Sequence, residues 1–160
     1  MRFSIYLGVS ILLMAADQVS KAMVASHVPH HQAFEVTAFF NIVHVLNPGA
    51  AFSFLADQQG WQRWFFILLA SVISMGLVIF LKNAKTHLQR ISFSFVLAGA
   101  VGNLCDRLWR GAVVDWIDFH AMGAHFPAFN LADTWISIGF ALLMFELLFR
   151  PERADVPVKR

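Results

Sequence analysis

Four long apolar stretches dominate the chain, at about Phe3–Val24, Trp61–Leu81, Ile91–Leu108 and Leu131–Phe149. Each approaches or exceeds the roughly 20 helical residues needed to cross about 30 Å of hydrocarbon, so the pattern predicts four transmembrane helices. The first has the look of a signal peptide, with Arg2, an apolar run and then Ala15-Ala16. It is too long for that reading and carries Asp17 and Lys21, so it is taken as a span. Between the first two spans, Phe34–Phe54 (FEVTAFFNIVHVLNPGAAFSF) is rich in Phe, Val and Ile and broken by Asn47-Pro48-Gly49. That segment predicts short strands around a turn. The fold class is therefore an all-α membrane protein, a four-helix transmembrane bundle with a small extracytoplasmic β element. With no long linker and no repeat, residues 1–160 form one domain.

Basic positions set the orientation. Arg2 precedes the first span, Lys82, Lys85 and Arg90 fill the loop after the second, and Arg150, Arg153, Lys159 and Arg160 form the tail. These are eight of the twelve Lys and Arg, which puts both termini and that loop in the cytoplasm. The long connections at about 25–60 and 109–130 then face outward.

A charge at the centre of a bilayer costs about 2.5–3.5 kcal/mol on insertion scales, so polar residues within spans need a reason. The orientation assigns them a common depth. Asp17 and Lys21 lie in the outer third of the first span, and Asn103, Asp106 and Arg107 near the outer end of the third. Asn130 and Asp133 open the fourth, while Asp115 and Asp118 sit in the outer loop. Segments distant in sequence thus deliver acids and amides to one level of the membrane.

Most of these residues also have a purely structural reading. Asp17 and Lys21, four apart, share a helix face and can pair, with Lys21 snorkelling outward. Asp106 and Arg107 read as an interfacial ion pair. Asn130 and Asp133 have the spacing of an N-cap with an acidic third residue. Asn47-Pro48-Gly49 makes a turn, and Ala98, Gly99 and Gly102 let helices approach closely. Asp115 resists such a reading: it stands between Val113-Val114 and Trp116-Ile117, with no basic residue nearer than Arg110. An acid in apolar company tends to have a raised pKa and a task.

Composition agrees, at 58% hydrophobic and 14% charged residues, where a soluble domain carries about a quarter charged. A net charge of +2 gives no argument for nucleic acid, and one cysteine, Cys105, excludes an intramolecular disulfide. No His-Glu-x-x-His and no Gly-x-Ser-x-Gly is present. His30, His31, His44, His120 and His125 show no helical ligand spacing, so no metal and no cofactor is expected. Ser20 and Lys21 are helical neighbours pointing about 100° apart and do not face each other. Acid chemistry remains. Two carboxylates in one site cannot easily both ionise, so one keeps a proton while the other takes one from water. Asp115 and Asp133, flanking the outer loop at one depth, are the natural pair. The alternative is a small proton-coupled carrier, which also buries acids in a bundle but places them nearer mid-membrane, with broken helices or repeats.

Five motifs, Asp17-Gln18-x-x-Lys21, Asn47-Pro48-Gly49-Ala50-Ala51-Phe52, Gly99-Ala100-Val101-Gly102-Asn103-Leu104-Cys105-Asp106-Arg107, Val113-Val114-Asp115 and Phe126-Pro127-Ala128-Phe129-Asn130-Leu131-Ala132-Asp133, together resemble lipoprotein signal peptidase, signal peptidase II. They follow that family's order from residue 17 to residue 133. One departure is Ala98, where the third motif often begins Gly-Gly. The resemblance implies an aspartic protease of the bacterial inner membrane, with its site near the periplasmic face; separately, the chain is expected to be a monomer. Such an enzyme removes the signal peptide of diacylglyceryl prolipoproteins, cutting before the lipidated cysteine, and is the target of the cyclic peptide globomycin. The resemblance also implies a periplasmic β-cradle at about 34–54. Asp115 and Asp133 would be catalytic, with Asp17, Lys21, Asn47, Gly49, Asn103, Asp106, Arg107 and Asn130 binding substrate or bracing the site.

Overall fold

The computed structural model describes residues 3–49 and 61–149. Arg2, Arg150, Arg153, Lys159 and Arg160, with Ala50-Ala51-Phe52 and the end of the strand-like segment, lie outside the described residues.

Four helices form where the apolar stretches predict them: α1 (Phe3–His27), α2 (Trp61–Asn83), α3 (His87–Trp109) and α4 (Leu131–Phe149). All four are long and apolar enough to cross a membrane. Helix α3 begins four residues before the predicted span, because Thr86 accepts the Gln89 amide at 3.0 Å and caps it. It is also the central helix, with 39% of its most apolar window buried against 17% in each of the others. Gly99 and Gly102 explain how α4 and α1 come so close to it. A methyl group on Gly99 would overlap the Ala132 carbonyl, and one on Gly102 would lie 2.7 Å from Asp17 Oδ2. Small residues at helix contacts in a bilayer have this effect, since packing rather than hydrophobicity drives association there. Towards the other end of α3, Tyr6, Leu77, Leu81 and Leu97 close an apolar core. Hydrogen bonds fasten α1 across the bundle, from Ser10 Oγ to the Ser94 carbonyl at 3.0 Å and from Trp135 Nε1 to the Leu13 carbonyl at 3.2 Å. Large apolar side chains such as Leu12, Leu68, Met75 and Leu147 face outward, as a lipid solvent allows.

One end of the bundle is capped by an antiparallel sheet of order β1-β2-β3-β4. Its strands are β1 (Ala33–Thr37), β2 (Phe40–Asn47), β3 (Val113–Ala121) and β4 (Ala124–His125). The sequence predicts strands only before residue 55. The segment holding Asp115 and Asp118, expected to be loop, is instead the longest strand. The turn is also relocated: β1 and β2 join through Ala38-Phe39, whereas Asn47-Pro48-Gly49 ends β2. Proline cannot donate to a ladder, and Gly49, at φ 103°, has Phe66 against its Cα where any side chain would stand. A β-bulge lies between Ile42 and Val45, after which Val45 pairs with Asp115. On the far side of β3, the chain entering α4 also pairs with it. The amides of Trp116 and Ile117 donate to the Phe129 carbonyl at 2.9 and 2.8 Å. That contact delivers Asn130 to Asp115.

Candidate active site

Three asparagines frame the two aspartates, and each carboxamide has its orientation fixed from behind. Asn47, last residue of β2, accepts the Gly49 amide at 2.9 Å on Oδ1 and points Nδ2 at Asp115 Oδ2, 3.0 Å away. Asn130, just before α4, accepts the Asp133 amide at 3.0 Å and donates from Nδ2 to Asp115 Oδ1 at 2.6 Å. Asn103 accepts Lys21 Nζ at 2.9 Å and donates to Asp133 Oδ1 at 2.8 Å. An amide flip would reverse every one of these contacts, so the network settles the assignment. Asp133 Oδ2 also receives the Asn130 amide at 3.2 Å, closing the reciprocal cap expected from the sequence. Asn130 therefore touches both aspartates.

The surroundings of the two acids differ. Asp115 is 4% exposed, and burial pushes its pKa up to about 6. The bonds from Asn47 and Asn130 favour its charged form but do not overcome that desolvation, to which the charge of Asp133 adds. Asp133 sits in the first turn of α4, where the positive end of the helix and two N–H donors suit a carboxylate. Asp118, three residues along β3, projects from the opposite face of the strand. Burial alone would raise it, but hydrogen bonds from His125 at 3.0 Å and Asn41 at 2.9 Å outweigh that and hold it below the usual carboxylate range.

Behind the aspartates lies a charge cluster whose centre, Asp17, Lys21 and Asp106, is fully buried. Lys21 and Asp17 pair at 2.9 Å as their spacing predicts, but the ammonium does not snorkel: it is 0% exposed and also meets Asp106 at 2.9 Å. The expected Asp106–Arg107 pair does not form. Adjacent helical residues diverge by about 100°, and Asp106 pairs with Lys21 and with Arg110, one turn on. Arg107 instead lies 5.2 Å over the Phe66 ring, bonds the Asn103 carbonyl at 3.2 Å, and lends its charge to Asp133 and Asp115 from nearby. Gln18 and Arg110 also belong to the cluster, a role their sequence positions alone do not assign. Gln18 Nε2 bonds the Gly102 carbonyl at 3.0 Å and both Asp17 and Asp106. Gln18 stands inside the first motif, whereas an i, i+4 count from Asp106 to Arg110 was the available signal for the second.

Membrane-length helices thus gather two linked aspartates at one end of the bundle, an arrangement suited to acid–base chemistry at a membrane surface. The comparisons with known proteins agree. The family model "Signal peptidase (SPase) II" matches residues 9–149, and the chain belongs to that family. A lipoprotein signal peptidase of Aeromonas hydrophila is 46% identical over 155 residues, covering 94% of this chain and 92% of that one. Another from Yersinia enterocolitica is 44% identical over 148 residues, covering 91% and 88%. A bacterial membrane enzyme solved by the in meso method at 2.3 Å superposes with a TM-score of 0.82 at 31% identity, covering 98% of this chain and 95% of its own.

Proposed function

We propose that this enzyme cuts the signal peptide from diacylglyceryl-modified prolipoproteins, immediately before the lipidated cysteine, using Asp115 and Asp133. The observation that carries the reading is Asn130, which holds both acids at once through its side chain and backbone. Asp133, as carboxylate, takes a proton from water as its oxygen attacks the scissile carbonyl carbon. Asp115, as acid, donates to the carbonyl oxygen. Collapse of the tetrahedral intermediate returns that proton to Asp115, and the proton on Asp133 passes to the leaving cysteine nitrogen. The products are a peptide carboxyl and a free amine, with both acids restored. Asn47, Asn103 and Asn130 hold the acids in place, and Arg107, Asp17, Lys21 and Asp106 support them.

The whole chain acts as one domain and as a monomer in the bacterial inner membrane. Both termini are cytoplasmic, and the sheet-capped end faces the periplasm. A cyclic peptide of the globomycin type competes for the same two aspartates. Purified enzyme and a diacylglyceryl prolipoprotein should give, by mass spectrometry, a product whose first residue is the modified cysteine. Cleavage at another bond, or none, would overturn the proposal. The proton-carrier alternative loses its support, since the acids gather at one end and the chain belongs to a peptidase family.

The pH dependence follows from Asp115. A raised carboxyl pKa means that the protonated form is full below the usual value near 3.8 and is lost as pH rises through about 6. If that form is the working acid, kcat/KM should fall about tenfold per pH unit above about 6. The limb in kcat should lie higher, because bound substrate desolvates the site further. At pH 5, the infrared band of a protonated carboxylic acid should vanish in Asp115→Asn and persist in Asp133→Asn. The opposite pattern would reverse the roles.

A further inference from the structure

The buried charge cluster is placed too regularly to serve only as neutralised ballast in the membrane. The carboxylate of Asp17 accepts the Ala132 amide at 2.8 Å, and Ala132 immediately precedes Asp133. The carboxylate of Asp106 accepts the Val114 amide at 3.3 Å, and Val114 immediately precedes Asp115. Between these two carboxylates sits a single ammonium, Lys21 Nζ, at 2.9 Å from each. Its third proton goes to Asn103 Oδ1, also at 2.9 Å, and Asn103 passes the contact on to Asp133. An ammonium has three N–H bonds, and all three are committed.

We propose that Lys21 is a positioning residue that sets the separation of Asp115 and Asp133. One cation fixes both the carboxylate anchoring the backbone before Asp133 and the carboxylate anchoring the backbone before Asp115. The dyad is carried on α4 and β3, which meet through the Phe129 bridge, while its spacing is gauged from α1 through a side chain that touches neither aspartate. This goes beyond support of the fold, because Arg110 already supplies Asp106 with a counter-charge. What Arg110 does not supply is the link from Asp106 to Asp17 and Asn103. The inference rests on the proposed roles of Asp115 and Asp133.

The test uses full-length enzyme in lipid and a diacylglyceryl prolipoprotein. Removing Lys21 alone strands a carboxylate, so the informative variant is the charge-balanced pair Lys21→Met with Asp17→Asn, in which Asp106 keeps Arg110. A misplacement near 1 Å costs on the order of a hundredfold in rate. We expect kcat per folded molecule to fall about a hundredfold, with KM within about threefold of the parent. Lys21→Gln with Asp17→Asn, which restores an N–H donor on a side chain one bond shorter, should recover part of that loss. A purely structural role would lower the amount of folded protein, measured by thermal unfolding, and leave kcat per folded molecule unchanged. Wild-type kcat in either folded double variant would overturn the proposal. So would failure of both to fold, since Lys21 would then belong to folding alone. Asp115→Asn run alongside separates the two readings. If it still cleaves, the dyad itself is misassigned; if it is inactive while the Lys21 variants turn over normally, only the gauge is wrong.

Discussion

Asn in place of Asp115 or Asp133 is expected to abolish cleavage, with each turnover number falling on the order of 10⁴-fold or more, as in other multi-residue catalytic units. In the proposed mechanism neither chemical half-step survives alone: without a base the water stays neutral, and without an acid the carbonyl oxygen gains charge unaided. The double variant should therefore be no slower than the slower single one, because groups that act as a unit are not additive. The loss should not reflect unfolding. In Asp115→Asn, one of the two donors from Asn47 and Asn130 meets an NH₂ group in place of oxygen, and neither can flip. That forfeits about 1 kcal/mol, the net worth of a typical hydrogen bond. Against it, a buried acid that ionises above about pH 6 is removed, which favours the folded state at neutral pH. Thermal unfolding at pH 7 should thus change little while single-turnover cleavage disappears. Substantial activity in either single variant would remove that aspartate from the mechanism.

Precursor lacking the diacylglyceryl group is expected to be cleaved at least roughly a thousandfold more slowly, with most of the deficit in kcat. Burying acyl chain contributes about 0.8 kcal/mol per methylene, so two chains are ample to anchor a residue at the bilayer surface. The apolar part of a signal peptide already keeps the precursor in the membrane. The acyl chains would then act on position, fixing the scissile bond at the depth of Asp115 and Asp133. Binding energy from a remote group spent this way raises turnover rather than affinity alone. The rim suits such a ligand. Phe34, Val36, Phe39, Met122 and Phe126 expose apolar side chains around the sheet. Comparing lipidated and unlipidated forms of one precursor over a range of enzyme concentrations tests the point. Equal turnover would indicate a peptidase indifferent to the lipid.

Length and continuity of the apolar stretches made the helices legible, since spanning hydrocarbon leaves a chain few choices. The third strand was harder to read. Val113–Ala121 is rich in β-branched and aromatic residues, but Asp115 and Asp118 interrupt it, and both its faces are partly covered, so no alternation emerges. Asp115 stood out for that same reason, as an acid with apolar neighbours. The Asn130–Asp133 cap and the Asp17–Lys21 pair are local and followed from spacing. Partners set by packing did not: nothing in the sequence says that Lys21 reaches Asn103, 82 residues away, or that Asp106 prefers Arg110 to its own neighbour.

The bond from Asp17 to the Ala132 amide has a consequence for biogenesis. Its partners are 115 residues apart, which at about 5–20 residues per second is roughly 6–23 s of synthesis. Through that interval α1 enters the membrane with its acid facing only its own lysine, four residues on, as a neutral couple suited to insertion. On the proposed roles of Asp115 and Asp133, the nascent chain stays inert until its last helix arrives. Because Asp133 lies on that helix, the proposed dyad is completed only once the fourth span is in place.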